Sequence, residues 1–499
     1  MTTLSAPFYP IIYVRGFAMT QGEIEATTST PYMGFNQGAT KVRQHWDGKV
    51  TRRYFESPLI RLMKDYQYQD VYLEGKIRTE GLSAKSIFIH RYYDQADKDF
   101  GDGQRPSILE AAKSLRKMIS DARDAICGQD EKARSEFRVY LVAHSMGGLI
   151  CRALLQNKDL RDSEEATQVA KVFTYATPHN GIEMAGFNVP AALGIWDINN
   201  FSRKEMAKYL SLGRRKNVAT LNGHFDPDRF FCLIGTNPQN YDVAKGLSSW
   251  LAGDMSDGLV RIENSYVSGA PRAYVHRSHG GPFGIVNSEE GYQNLVRFLF
   301  GDIRIDGIME LDNLPLPPSV QKAKDKGKKI RASYWFEARI SPRPPDDESH
   351  TYYLTDRRKI NFSAVMRKYD EMMKPEEVTL DKPRWPFLFS THLDTSKISR
   401  GNTLVFMLEL VVTPTDYEID SFLFMNRTIP GENLYSENLC IRATRSDTGW
   451  TIRCNRTTEE WGEKLGHELE QDGKDFVLPL SNEKGFRGRL RLELKGAAS

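Results

Sequence analysis

The stretch Arg138–Leu154, RVYLVAHSMGGLICRAL, restricts the fold of this chain more than any other. Val139, Tyr140, Leu141, Val142 and Ala143 have strand character and run directly into His144-Ser145-Met146-Gly147-Gly148. After the glycines, Leu149, Ile150, Ala153 and Leu154 recur at helical spacing, so the chain reads strand, abrupt turn, helix. Ser145 sits in the turn, where it is either a nucleophile or a residue that merely caps the helix.

The same grammar extends over residues 10–300. Strand candidates are Ile11–Val14, Ser86–His90, Val139–Ala143, Val172–Ala176, Phe230–Ile234 and Ala273–Arg277. The clearest helices are Ile108–Ile126, with an apolar stripe of Ile108, Ala112, Leu115, Ile119, Ala122 and Ile126, and Glu289–Phe300. In the second, Asn287 and Glu290 look like a capping pair. The alternation predicts an α/β fold with a mostly parallel, doubly wound sheet covered on both faces. Two insertions interrupt it, at about 18–82 and 182–229. The second opens with AGFNVPAALGIW, Ala185–Trp196, which reads either as a mobile lid over an apolar pocket or as an ordinary buried helix.

The pattern breaks near LDNLPLPPSVQKAKDKGKKI. Pro315, Pro317 and Pro318 favour extended backbone, and the five lysines from Lys322 to Lys329 keep the stretch solvated, so 306–330 reads as a linker. The lysines are a solvated tether or, alternatively, a contact for an anionic surface or membrane. Beyond them, Arg489–Lys495 alternates with period two, and Leu404–Val412 and Phe422–Met425 are further strands. Ile441–Thr444 and Trp450–Cys454 flank a hairpin signal at Asp447-Thr448-Gly449. Helical pattern is sparse, so residues 331–499 predict an all-β, sandwich-like domain.

A length of 499 residues exceeds one ordinary domain. The 68 basic and 65 acidic residues nearly balance, which leaves no overall field drawing the chain to nucleic acid. The amino terminus lacks a basic region followed by an apolar core, and no apolar run approaches the roughly 20 residues of a membrane helix. A cytoplasmic location is therefore expected, with signal-independent export left open. Cys127, Cys151, Cys232, Cys440 and Cys454 are odd in number and irregular in spacing, which suits a reduced compartment. No metal or cofactor is expected, since no zinc, calcium-loop or phosphate-loop pattern occurs. The sequons at Asn361, Asn426 and Asn455 read as chance.

A nucleophile elbow has the form G-x-S-x-G because a side chain two residues from the serine would strike the neighbouring strand or helix. Ala143 stands for the first glycine here, and one methyl group is tolerable. The turn exposes the hydroxyl above the strand ends and aims the Met146 amide at an oxygen bound beside it. A second donor is needed because charge builds on that oxygen as a tetrahedral intermediate forms. In Tyr13-Val14-Arg15-Gly16-Phe17, Gly16 lets the backbone turn and the Phe17 amide donate.

These segments carry a resemblance. IIYVRGF resembles the V-x-V-H-G-F start of lipases of the α/β-hydrolase fold, AHSMGG resembles their G-H-S-M-G-G, and Thr177-Pro178-His179-Asn180-Gly181 resembles the T-P-H-x-G after the next strand. Arg15 replaces the usual histidine and introduces a cation near the pocket mouth, available to an anionic head group. The resemblance implies a catalytic domain over 1–305, with an acid and then a histidine following the serine. Asp257-Gly258-Leu259-Val260 resembles the N/S-D-G-L-V segment that supplies the acid in several bacterial lipases; Asp254 is its competitor. For the base, His276 and His279 remain, because His350, His392 and His467 lie beyond the linker. A loop position lets an imidazole reach across the strand ends, which favours His279 and keeps His276 in reserve. His144 and His179 read as structural imidazoles.

The expected activity is that of a serine carboxylic-ester hydrolase on lipid-like acyl esters, with Ser145, Asp257 and His279 as triad and the Phe17 and Met146 amides as oxyanion hole. A thioesterase or amidase with the same triad is one alternative. Another is an effector or interaction protein whose C-terminal β domain binds a partner. The implied partners are an ester or lipid substrate, peripheral contact with a membrane or micelle, and a protein for the β domain.

Overall fold

The computed structural model describes residues 4–16, 32–35, 38–44, 48–73, 76–78, 81–96, 103–182, 201–213, 217–238, 255–281, 284–342, 361–368, 372, 385–395, 402–419, 427–447, 449–456, 459 and 466–495. The chain divides into two units, residues 1–272 with 277–300, and residues 273–276 with 301–499.

In the first unit, β1 (Ile11–Val14), β2 (Ser86–His90), β3 (Val139–His144), β4 (Val169–Tyr175) and β5 (Phe230–Gly235) lie in the order β5-β4-β3-β1-β2, with Gln69–Asp70 at the outer edge. Every neighbouring pair is parallel. β1 and β2 are buried at every position, as strands covered on both faces must be. Helix α1 (Ile108–Cys127) packs on α2 (Met146–Gln156), and its predicted stripe is buried. Helix α3 (Glu289–Phe300) covers β4 and β5, with Phe298 against Phe173 and Phe231. Ser288, not Asn287, caps α3: its Oγ accepts from the Gly291 amide at 2.9 Å, while Glu290 turns away to Arg277.

The chain runs outward from β1 to β2 and then returns to the other side of β1 as β3. That reversal is a topological switch point, where neighbouring strand ends diverge and leave a crevice at their carboxyl ends. Gly16 leaves β1 and Ser145 leaves β3 at this place.

The second unit is antiparallel. Among its strands are β6 (Arg272–Val275, less residue 272), β7 (Ile303–Asn313), β8 (Ser333–Pro342), β9 (Asn361–Lys368), β10 (Phe387–Leu393), β11 (Thr403–Pro414), β12 (Tyr435–Ser446), β13 (Gly449–Arg456), β14 (Asp475–Ser481) and β15 (Arg487–Lys495). One run of paired strands has the order β14-β15-β7-β10-β6 and another the order β9-β8-β11-β12-β13, so the all-β region is as expected. Along β11, Leu404, Phe406, Leu408, Leu410 and Val412 are buried at every second position, the period of a strand with one face on a core. The β12–β13 hairpin closes at Ser446 and Gly449, where the turn signal stands.

The structure revises the linker. Residues 303–313 form β7, which lies between β10 and β15, and residues 318–325 form a helix. The long segment of the second unit therefore starts at 301, inside the stretch assigned to the first domain, and takes in the whole of the expected tether. Pro315 and Pro317, without N–H groups, end the strand, and Pro318 opens the helix at a position whose N–H would have no intrahelical acceptor. Of the two insertions, the first contains the hairpin Ala39–Gln44 and Val50–Phe55 and the helix Pro58–Tyr66, and the second the helix Arg203–Tyr209. Ala185–Trp196 and Phe422–Met425 lie outside the described residues.

Candidate active site

Ser145 has φ 53° and ψ −126°, a left-handed conformation that L side chains avoid. Such a residue costs on the order of 1–3 kcal/mol and persists only where its surroundings over-determine it. Here the Ser145 amide donates to the Tyr175 carbonyl at 2.8 Å, and the Thr177 hydroxyl donates to the Ser145 carbonyl at 2.8 Å. The glycines allow an approach that no side chain permits. A methyl group on Gly147 would stand 2.3 Å from the Val14 carbonyl oxygen, and one on Gly16 would stand 2.6 Å from Ser145 Cβ. Ala143 is fully buried, and the elbow accommodates its methyl. The Ser145 side chain makes no cap bond to α2, so its hydroxyl is not spent on the helix.

That hydroxyl lies 2.9 Å from His279 Nε2, and His279 Nδ1 lies 2.9 Å from Asp257 Oδ2. With the Nδ1 proton donated to the carboxylate, Nε2 accepts from the serine. Asp257 is oriented in turn, its Oδ1 accepting from the amides of Leu259 at 3.0 Å and Val260 at 2.8 Å. A methyl on Gly235, the last residue of β5, would stand 2.7 Å from Asp257 Cβ, so the strand end makes room for the acid. All three residues are buried. An acidic group, an imidazole and a strained hydroxyl in one hydrogen-bonded line can deprotonate the hydroxyl as it attacks an electrophile.

The other candidates divide clearly. His276 is exposed, counts with the second unit and stands edge-on to Trp335. Asp254 and Phe17 lie outside the described residues. Met146 is the first residue of α2, whose leading amides have no intrahelical acceptor. The Arg15 guanidinium donates to the Met33 carbonyl and lies against Gly34, so it fastens a loop. The turn after β1 is held from below by Tyr92, whose hydroxyl donates to the carbonyls of Arg15 at 2.8 Å and Gly16 at 3.3 Å.

His144 is structural as read, and two further supports, Arg277 and Arg152, were not foreseen. His144 Nε2 donates to the His279 carbonyl at 2.9 Å, and burial pushes its imidazole down to about 3, so it is neutral. Arg277 grips Glu290 on α3 through two nitrogens, at 2.7 and 3.1 Å, two residues before His279. Arg152 is fully buried and donates to the carbonyls of His179, Val218 and Thr220, tying α2 to two loops; burial lowers it to about 10. The signal for Arg152 was present: it is the one charged residue in MGGLICRALLQ. His179 is structural as read, its Nε2 3.0 Å from the Thr174 hydroxyl and its charged form strongly disfavoured by burial.

Residues 94–208, which include the elbow and TPHNG, match the family model of the PGAP1-like alpha/beta domain. With this match beside the parallel sheet and its switch point, the fold class is decided. The first unit has the α/β-hydrolase fold. Among solved structures, the chain is similar to one described as the Tle4-Tli4 complex, at 16% identity over 48% of this chain and 59% of that chain, with a TM-score of 0.21. It is also similar to an iodinated complex of acetyl xylan esterase, at 11% identity over 38% and 79%, TM-score 0.17, and to an acetylxylan esterase at 10% identity over 42% and 97%, TM-score 0.16. The chain thus spans 59% of the length of the first of these. Comparison with curated proteins gives no match.

Proposed function

We propose that this hydrolase is a serine carboxylic-ester hydrolase that cleaves lipid-like acyl esters through an acyl-enzyme. The observation that carries the reading is the unbroken line from Ser145 Oγ through His279 to Asp257, 2.9 Å at each link. In the first half-reaction Ser145 Oγ attacks the ester carbonyl carbon while His279 Nε2 takes its proton. Asp257 holds the Nδ1–H and stabilises the imidazolium. The amides of Met146 and Phe17 receive the oxyanion, and His279 then protonates the leaving alcohol as the carbon–oxygen bond breaks. Water, deprotonated by His279, releases the acid and restores Ser145. The apolar run Ala185–Trp196 motivates a long acyl chain.

The test is fluorophosphonate labelling of wild type, Ser145→Ala and His279→Ala with peptide mapping, followed by oxygen, sulfur and nitrogen esters of one acyl group. An adduct on Ser145 that is much slower in His279→Ala, with preference for oxygen esters of long acyl chains, is expected. A folded wild type that takes no label sinks the hydrolase reading. A preference for thioesters or amides, or for short chains, corrects the substrate class alone.

A further inference from the structure

We propose that His144 is a positioning residue that keeps the base in register with the nucleophile, an inference that rests on the serine-hydrolase reading above. His144 immediately precedes Ser145, so its ring and the nucleophile share one strand end. Its Nε2–H donates to the His279 carbonyl at 2.9 Å, while the His279 amide donates to the Asp257 carbonyl at 2.9 Å. The backbone of the base is thereby clamped on both sides of its Cα, by the acid's main chain and by the nucleophile's neighbour. The side-chain bonds of His279 set the ring only after that backbone is placed. Gly280 and Gly281, the next two residues, restrain it less, and Gly281 has φ 80°.

The other side of His144 meets the oxyanion turn. A methyl on Gly16 would stand 3.2 Å from His144 Nδ1 and 2.8 Å from its carbonyl oxygen. One imidazole therefore lies between the turn that leads to Phe17 and the loop that bears the base. Burial holds it neutral, and a neutral imidazole carries one proton. For a carbonyl to accept from it, that proton must be on Nε2.

Glutamine and methionine match each other in shape, and only glutamine offers an N–H near the place of Nε2. The experiment compares His144→Gln and His144→Met in the full chain, reading the labelling rate per reactive site, kcat and KM on a soluble ester, and the pH profile of kcat/KM. We expect kcat of His144→Met to be roughly 10- to 100-fold below that of His144→Gln, with KM alike, as for a misplacement of about 1 Å. Its acidic limb moves to lower pH, because a misaligned Asp257 stabilises the imidazolium less. A role in folding alone would reduce the number of reactive sites and leave the rate per site and the limb unchanged. Equal rates and superposable profiles for the two variants overturn the proposal. Nitrogen-15 histidine spectra of wild type give a check that needs no variant: His144 carries its proton on Nε2 between about pH 5 and 8, and an Nδ1–H tautomer or a titration there refutes it. A folded wild type without an adduct at Ser145 removes the hydrolase reading itself, an outcome distinct from either of these.

Discussion

Ser145 is held at φ 53° between a β-strand and a helix, and that strain has a measurable sign. Ser145→Gly removes the Cβ that makes the conformation costly, so it raises stability by about 1 kcal/mol, whereas Ser145→Ala keeps the strain and does not. Thermal unfolding of the two variants checks this, and a Tm for Ser145→Gly at or below that of Ser145→Ala contradicts it. Both variants lose turnover, by roughly a factor of 10⁵ or more if the serine is the nucleophile. Gly147 has the opposite sign: the methyl of Gly147→Ala would meet backbone oxygens of Val14 and Arg15, which cannot rotate away. A loss of about 3 kcal/mol, the upper range for overpacking, is expected in chemical denaturation.

At the scale of elements, histidines stand at the carboxyl ends of parallel strands: the buried His90 closes β2, the half-buried His144 closes β3, and the buried His179 follows β4. Burial lowers all three, His90 and His144 to about 3 from an ordinary 6.5, and His179 well below 6.5. Their folded-state values are depressed, so the unfolded chain binds protons that the folded chain refuses. The stability they contribute is complete above pH 6.5 and is lost as pH falls from there toward 3. Calorimetry between pH 7 and 4 should show Tm falling with uptake of up to three protons by these rings on unfolding, besides those taken by carboxylates. His90→Gln should lower that uptake by about one proton near pH 4.5. Unchanged uptake would show that His90 is already charged in the folded state.

For the whole molecule, the division of the chain sets where it can be cut. β7, Ile303–Asn313, is an inner strand of the second unit, bonded to β10 on one side and β15 on the other. A fragment of residues 331–499 lacks it and exposes two unpaired edges, so it aggregates, whereas 301–499 retains it and stays more soluble. Size-exclusion chromatography of the two fragments decides the matter, and a monodisperse 331–499 would refute the expectation. The linker reading failed here because prolines and lysines report local backbone and solvation, while strand pairing of Ile303–Asn313 depends on segments 80 to 190 residues away. Local pattern was sufficient elsewhere. Strand β1, strand β2, helix α3 and the β12–β13 hairpin were legible because apolar periodicity and turn chemistry act within a few residues. The elbow was legible for the same reason, its glycines and serine being contiguous. By itself, then, the sequence determined the elements, their alternation and the position of the turn that bears Ser145. Only the tertiary structure decided that His279 rather than His276 faces that serine, that Asp257 is buried beside it, and that His144 and Arg152 brace the loops. Those choices depend on distances between segments far apart in the chain, 134 residues for Ser145 and His279 and 27 to 68 for the bonds of Arg152, which local propensity does not encode.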